Sequence, residues 1–149
     1  MNMKREKLNE YYSIHDHEVK SYTVDIGRHA ICLNTDYCGK ESAVIRFEGL
    51  LGHRFEYVLH WQNVILCIIE ISAASFIEEE KEFLGIASQY AFPAGLRRVS
   101  ELQSYLEQNG YRVFCIDSAI GLSGFVIAKD ISITISPVVL DKEKDAHDA

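Results

Sequence analysis

Between Glu18 and Ile71 apolar and polar residues alternate in short runs broken by glycine, the period-two signature of strands with one buried face. Tyr22, Val24 and Ile26 alternate with Ser21, Thr23 and Asp25 in a first strand. Gly27-Arg28 then predicts a two-residue type II′ turn with glycine in the positive-φ position, and Ile31 and Leu33 give the returning strand its buried side, so residues 18–35 read as a hairpin. After a loop at 36–41, Ile45 and Phe47 oppose Arg46 and Glu48. Beyond the break at Gly49–Gly52, Phe55, Tyr57, Leu59 and Trp61 oppose Arg54, Glu56, Val58 and His60, which predicts a further strand carrying Tyr57 and Trp61 into the core. Val64 to Ile71 is apolar on both faces. Its shortness and β-branched content favour a central strand covered on both sides over a buried helix.

The flanks are less regular. Leu8, Tyr11 and Tyr12 have helix-compatible spacing, so residues 1–12 read as a short helix docked by its tyrosines. Ser75-x-x-Glu78 has the form of a capping box and predicts a helix over 75–90, stopped at Phe92-Pro93. Leu96, Val99, Leu102 and Leu106 mark a second helix that begins at Pro93 or Ser100 and ends at Asn109-Gly110. Strand patterning resumes at 111–116 and 125–128 and finishes with Ile131, Ile133 and Ile135 against Ser132 and Thr134. The expectation is an α+β fold, a largely antiparallel β-sheet with the two central helices packed on one face. The chain should form one domain over residues 1–139, followed by a charged, unpacked tail at 140–149.

Composition changes this picture little. The chain has 149 residues, 48% of them hydrophobic, enough for one domain with a real core. The net charge of −7 disfavours a nucleic-acid partner, because no basic stripe is present to neutralise phosphates. No apolar run reaches the roughly 18 residues needed to span a bilayer, and the polar N-terminus lacks a signal-peptide core, so no membrane association is expected. Cys32, Cys38, Cys67 and Cys115 are widely spaced, without Cys-x-x-Cys, which predicts reduced thiols in a cytoplasmic protein and no zinc site.

Candidate chemistry is sparse. His15-Asp16-His17 places two histidines on one face of an extended chain, a spacing that could grip a divalent metal or serve a small metal-dependent enzyme or ligand sensor. Without evident further ligands the same residues read as a polar strand entrance, since His53 and His60 fall on opposite faces of their predicted strand. No cofactor or metal is expected. Gly121-Leu122-Ser123-Gly124 lacks the Gly-x-Ser-x-Gly spacing of a nucleophile elbow, and no phosphate-binding glycine motif occurs. Asp117-Ser118 beside that turn could contact a ligand, although Asp and Ser at a strand end usually make local backbone bonds. The acidic cluster Glu78, Glu79, Glu80 and Glu82 could complement a helix N-terminus or face a basic protein partner.

Ser13-Ile14-His15-Asp16 followed by a hairpin, then Ile45-Arg46-Phe47-Glu48-Gly49 and the segment from Asn63-Val64-Ile65 to Ile71, together resemble small bacterial immunity-type proteins of polymorphic toxin systems. The resemblance implies a compact cytoplasmic α+β protein that blocks a cognate toxin by direct binding and catalyses nothing. It carries over no binding residue. A homodimer joined through an exposed β edge is a further partner expectation.

Overall fold

A computed structural model of the chain describes residues 5–96 and 98–138, so the tail expected at 140–149 lies outside the described residues. Strands make up 49% of it and helices 20%, which places the fold in the α+β class. The strands are β1 (Lys7–Tyr11), β2 (Glu18–Asp25), β3 (Ala30–Tyr37), β4 (Glu41–Glu48), β5 (Gly52–Glu56), β6 (Val64–Ile71), β7 (Arg112–Ile120), β8 (Ser123–Ala128) and β9 (Asp130–Pro137). All pair antiparallel in the order β5-β8-β7-β6-β2-β3-β4-β9, with β1 also on β6.

The sheet bends at β6. Its C-terminal half pairs with β1, whereas β2 meets it only at Glu18 opposite Val64. The turn at 12–17 joins β1 to β2 along this one edge and drops Ile14, fully buried, into the angle. The two halves close on each other over Ile31, Leu33, Ile45 and Phe47 from one side and Ile65, Ile68, Phe114 and Val126 from the other. Phe47 and Phe114 meet at 5.5 Å between ring centroids.

A second core cluster gathers Cys67, Ile69, Ile71, Val113, Cys115, Phe125 and Ile127 with Phe76, Leu84, Leu102 and Leu106 of the helices. Strands β6 to β8 therefore contribute to two cores. That is why β6 is apolar on both faces, as its sequence predicts. Register shifts against β7 around Ile65 and Cys67 break its alternation and leave Leu66 exposed.

Several local expectations are corrected. The N-terminal stretch is a strand where a helix was expected, because β6 offers an open ladder to Lys7–Tyr11. The hairpin turn is closed by the His29 N–H on the Ile26 carbonyl at 3.2 Å, and the left-handed residue is His29, not Gly27. β5 ends at Glu56, where Tyr57 turns to φ 59°, so Tyr57 and Trp61 are 75% and 71% exposed instead of buried.

Three short helices occur where two were predicted: α1 (Ala73–Glu79), α2 (Lys81–Ala87) and α3 (Leu102–Gln108). The cap of α1 is Ser72, whose hydroxyl accepts the Ser75 N–H, and Ser75 lies inside the helix with its own hydroxyl accepting the Glu6 N–H. The helix read over 75–90 breaks at Glu80. In one continuous helix Phe76 and Leu84 would point about 80° apart. The break admits both to one core cluster.

Candidate functional site

The expected histidine pair does not converge. Asp16, in a left-handed conformation at φ 64°, turns the chain between the two rings, so they do not share the face an extended strand would give them. His15 is exposed and donates from Nδ1 to the Leu66 carbonyl at 2.9 Å. His17 is fully buried, stacked on Tyr37, with Nε2 2.8 Å from a Glu41 carboxylate oxygen and Nδ1 2.7 Å from the Thr35 hydroxyl. In the neutral ring Nε2–H donates to Glu41 and Nδ1 accepts from Thr35. Hydroxyl, imidazole and carboxylate thus line up in the order of a hydrolytic triad, but Thr35 is itself buried between strands, and the arrangement ties the 12–17 turn to β3 and β4. His53 packs edge-on against Phe55, and burial depresses its basicity; His60 lies in the 57–63 loop outside any strand. Among the described residues no group of three or more His, Cys, Asp or Glu side chains is arranged to hold a metal ion.

The acidic cluster divides. Glu78, Glu79 and Glu82 are solvent-exposed and Glu80 is half-buried; of the four, Glu79 and Glu80 line a cleft of about 420 Å³ between the end of α1 and strands β6 to β8. Glu56 and Asp117 complete its acidic lining, and Leu66, Cys115 and Phe125 add apolar surface. Burial raises the Glu80 carboxyl above the usual carboxylate range, the nearby Glu56 and Glu79 add to that, and Arg54 opposes it. Arg54 bridges Glu56 at 3.3 Å and Glu80 at 3.6 Å and stacks over the Phe83 ring at 4.0 Å. Burial pushes the Cys115 thiol up to about 12, so at neutral pH it is a thiol and not a nucleophile.

A second guanidinium already occupies this cleft. Arg5 donates from Nε to both carboxylate oxygens of Glu79, at 3.0 and 3.1 Å, and from Nη2 to Oε1 as well. Its Nη1 lies 3.8 Å from Asp117. The hydrogen bonds to Glu79 raise the Arg5 pKa further. The Arg5 guanidinium thus has paired acceptors at one end and a second carboxylate across the gap. Sequence reading named Glu79 and Glu80 but missed Arg5, Glu56 and Asp117 as parts of one site. Sheet topology alone brings these residues together.

A separate groove of about 490 Å³ runs between β2 and the 57–63 loop, which presents Trp61. Asn63 holds that loop. Its Oδ1 accepts from Leu59 N–H at 2.9 Å and Leu122 N–H at 2.8 Å, and its Nδ2 donates to the Leu59 carbonyl at 2.7 Å. No helix among the described residues is long and apolar enough to cross a membrane. No protein-family model, no curated protein and no solved structure matches the chain.

Proposed function

We propose that this chain is a non-enzymatic binding protein whose acidic cleft receives a cationic side chain of a protein partner. We further propose that the partner is a basic toxin domain, neutralised in the cytoplasm in the manner of immunity proteins. The observation that carries the reading is Arg5. Its guanidinium sits against Glu79 and Asp117 in the position that a partner's arginine would take. Glu78 at the end of α1 and Glu82 at the start of α2, both solvent-exposed, would steer a basic surface toward the cleft, and the net charge of −7 favours the encounter.

The test is binding to the product of the reading frame adjacent to this one in its genome. Capture with loss of toxicity is expected, with affinity falling at least about tenfold in Glu79→Gln with Asp117→Asn. Affinity should rise in Arg5→Ala, which vacates the cleft. No capture at about 1 μM, or capture indifferent to all three substitutions, overturns the reading.

A further inference from the structure

We infer that the free edge of β9 is a self-association surface on which a second copy of this chain adds antiparallel, with Ile133 on the two-fold axis. β9 ends the strand order, and among the described residues nothing pairs with its outer edge. The Val138 N–H donates to the Lys40 carbonyl at 2.9 Å, one pair beyond Glu41 opposite Pro137. Hydrogen-bonded pairs alternate along an antiparallel ladder, so the even-numbered residues of β9 exchange bonds with β4. Ile131, Ile133 and Ile135 therefore turn their N–H and C=O groups outward, where an added strand would meet them.

The side chains leave this edge undefended. Edge strands of soluble proteins usually carry charges, bulges or proline that prevent pairing. At the opposite end of the sheet β5 has His53, Arg54 and Glu56 within five residues. From Ile131 to Ser136 β9 carries no charge at all, and its register with β4 is continuous, without a bulge. Pro137, whose missing N–H would have faced outward, marks where the usable edge stops.

The sequence also selects the occupant. With Ile133 opposite itself, Ile131 falls opposite Ile135 of the second copy and Ser132 opposite Thr134, so the isoleucine row and the hydroxyl row both continue across the junction. A register centred on Thr134 would instead place Pro137 opposite Ile131 and lose donors. Ile135, left 38% exposed at the end of the inner layer, gains a neighbour. The uncharged span from Ile131 to Ser136 lets two molecules that each carry −7 meet without a like-charge pair at the centre of the junction. A cationic protein finds no counter-charge here. This inference is independent of the cleft and stands or falls apart from it.

Sedimentation equilibrium or light scattering of the full chain up to about 200 μM should show mass rising toward two chains, unweakened by added salt, which screens the repulsion between the two bodies. Ser132→Lys with Thr134→Lys sets like charges opposite one another at exposed positions and should return the mass to one chain, while the melting temperature at about 1 μM, where both proteins are single chains, stays unchanged. Mixing it with Ser132→Glu, Thr134→Glu should restore the two-chain mass. A wild-type chain that stays single, a lysine variant that stays paired, or a mixture that fails to reassociate overturns the proposal. So does a chain that pairs only after removal of residues 139–149, which would give the edge to its own C-terminal segment.

Discussion

Glu70 accepts two N–H bonds from the guanidinium of Arg112 across the β6–β7 ladder, Nη2 to Oε1 at 2.9 Å and Nε to Oε2 at 3.1 Å. Asn9 of β1 donates to the same carboxylate at 2.7 Å, so one buried acid ties three neighbouring strands. Burial opposes its ionisation, but the hydrogen bonds from Arg112 and Asn9 outweigh this and hold its pKa below the usual 4.5. A carboxylate with a depressed folded pKa contributes stability above its unfolded pKa and loses it as pH falls through the folded value. Wild-type melting temperature should therefore fall below about pH 4.5, and Glu70→Gln should flatten that acid limb. Arg112→Met, which strands the carboxylate, should cost about 3–5 kcal/mol by urea denaturation at pH 7.

Asn63 can be tested through Trp61, the chain's single tryptophan. Asn63→Ala leaves backbone groups of Leu59 and Leu122 without partners and should destabilise by about 2–3 kcal/mol. It should also lower the steady-state anisotropy of Trp61 as the loop loosens. Gly121→Ala should act at the same place, because φ is +82° and a Cβ would lie 2.2 Å from the Asn63 Oδ1. A variant of either kind with unchanged stability and anisotropy would remove Asn63 as the loop's anchor.

The two histidines of the 15–17 turn should behave differently in thermal melts. His17→Ala opens a buried site and leaves the Thr35 hydroxyl only the long bond to the Ala43 carbonyl at 3.5 Å, and a loss of about 2–4 kcal/mol is expected. His15→Ala, at an exposed site, should stay within about 1 kcal/mol. Stoichiometric zinc or nickel should leave the wild-type melting temperature unchanged. A metal-induced rise abolished by His15→Ala would instead establish the pair as ligands.

Ile68 and Leu66 share a strand and differ in fate. Ile68→Asp places an unpaired charge between the sheet halves and should abolish cooperative folding, read by circular dichroism. Leu66→Asp, at a position 43% exposed, should melt within about 1 kcal/mol of wild type. A folded Ile68→Asp variant would contradict the two-sided burial of β6.

What the sequence made legible is the part that alternation controls. Ile31, Leu33, Ile45 and Phe47 are all fully buried, as their period predicts, and the run from Val64 to Ile71 is central. β1 escaped because Lys7–Tyr11 is mostly exposed and carries no apolar alternation; it is a strand only because β6 offers it a ladder. Trp61 followed the right period but lay past a left-handed Tyr57 that no pattern announces. Ser72 and Ser75 both suit a cap, and the choice between them depends on Glu6, whose N–H claims Ser75. Half of the acidic cleft was legible as a run of glutamates. The other half comes from residues 5, 56 and 117, which no local spacing connects.

The strand order carries a kinetic consequence. β2, β3 and β4 are consecutive hairpins that can zip locally, but the second edge of β4 is filled by β9, after both the β5–β6 segment and the helices have intervened. Until Ile131 reaches Phe47, the sheet half holding Ile45 and Phe47 lacks one flank of its hydrophobic layer. Closing so long a loop is entropically slow, which places folding on the millisecond-to-second scale of non-local β topologies. During that interval Ser42–Phe47 is an unpaired edge guarded by one charge, Arg46, and aggregation during refolding should begin there.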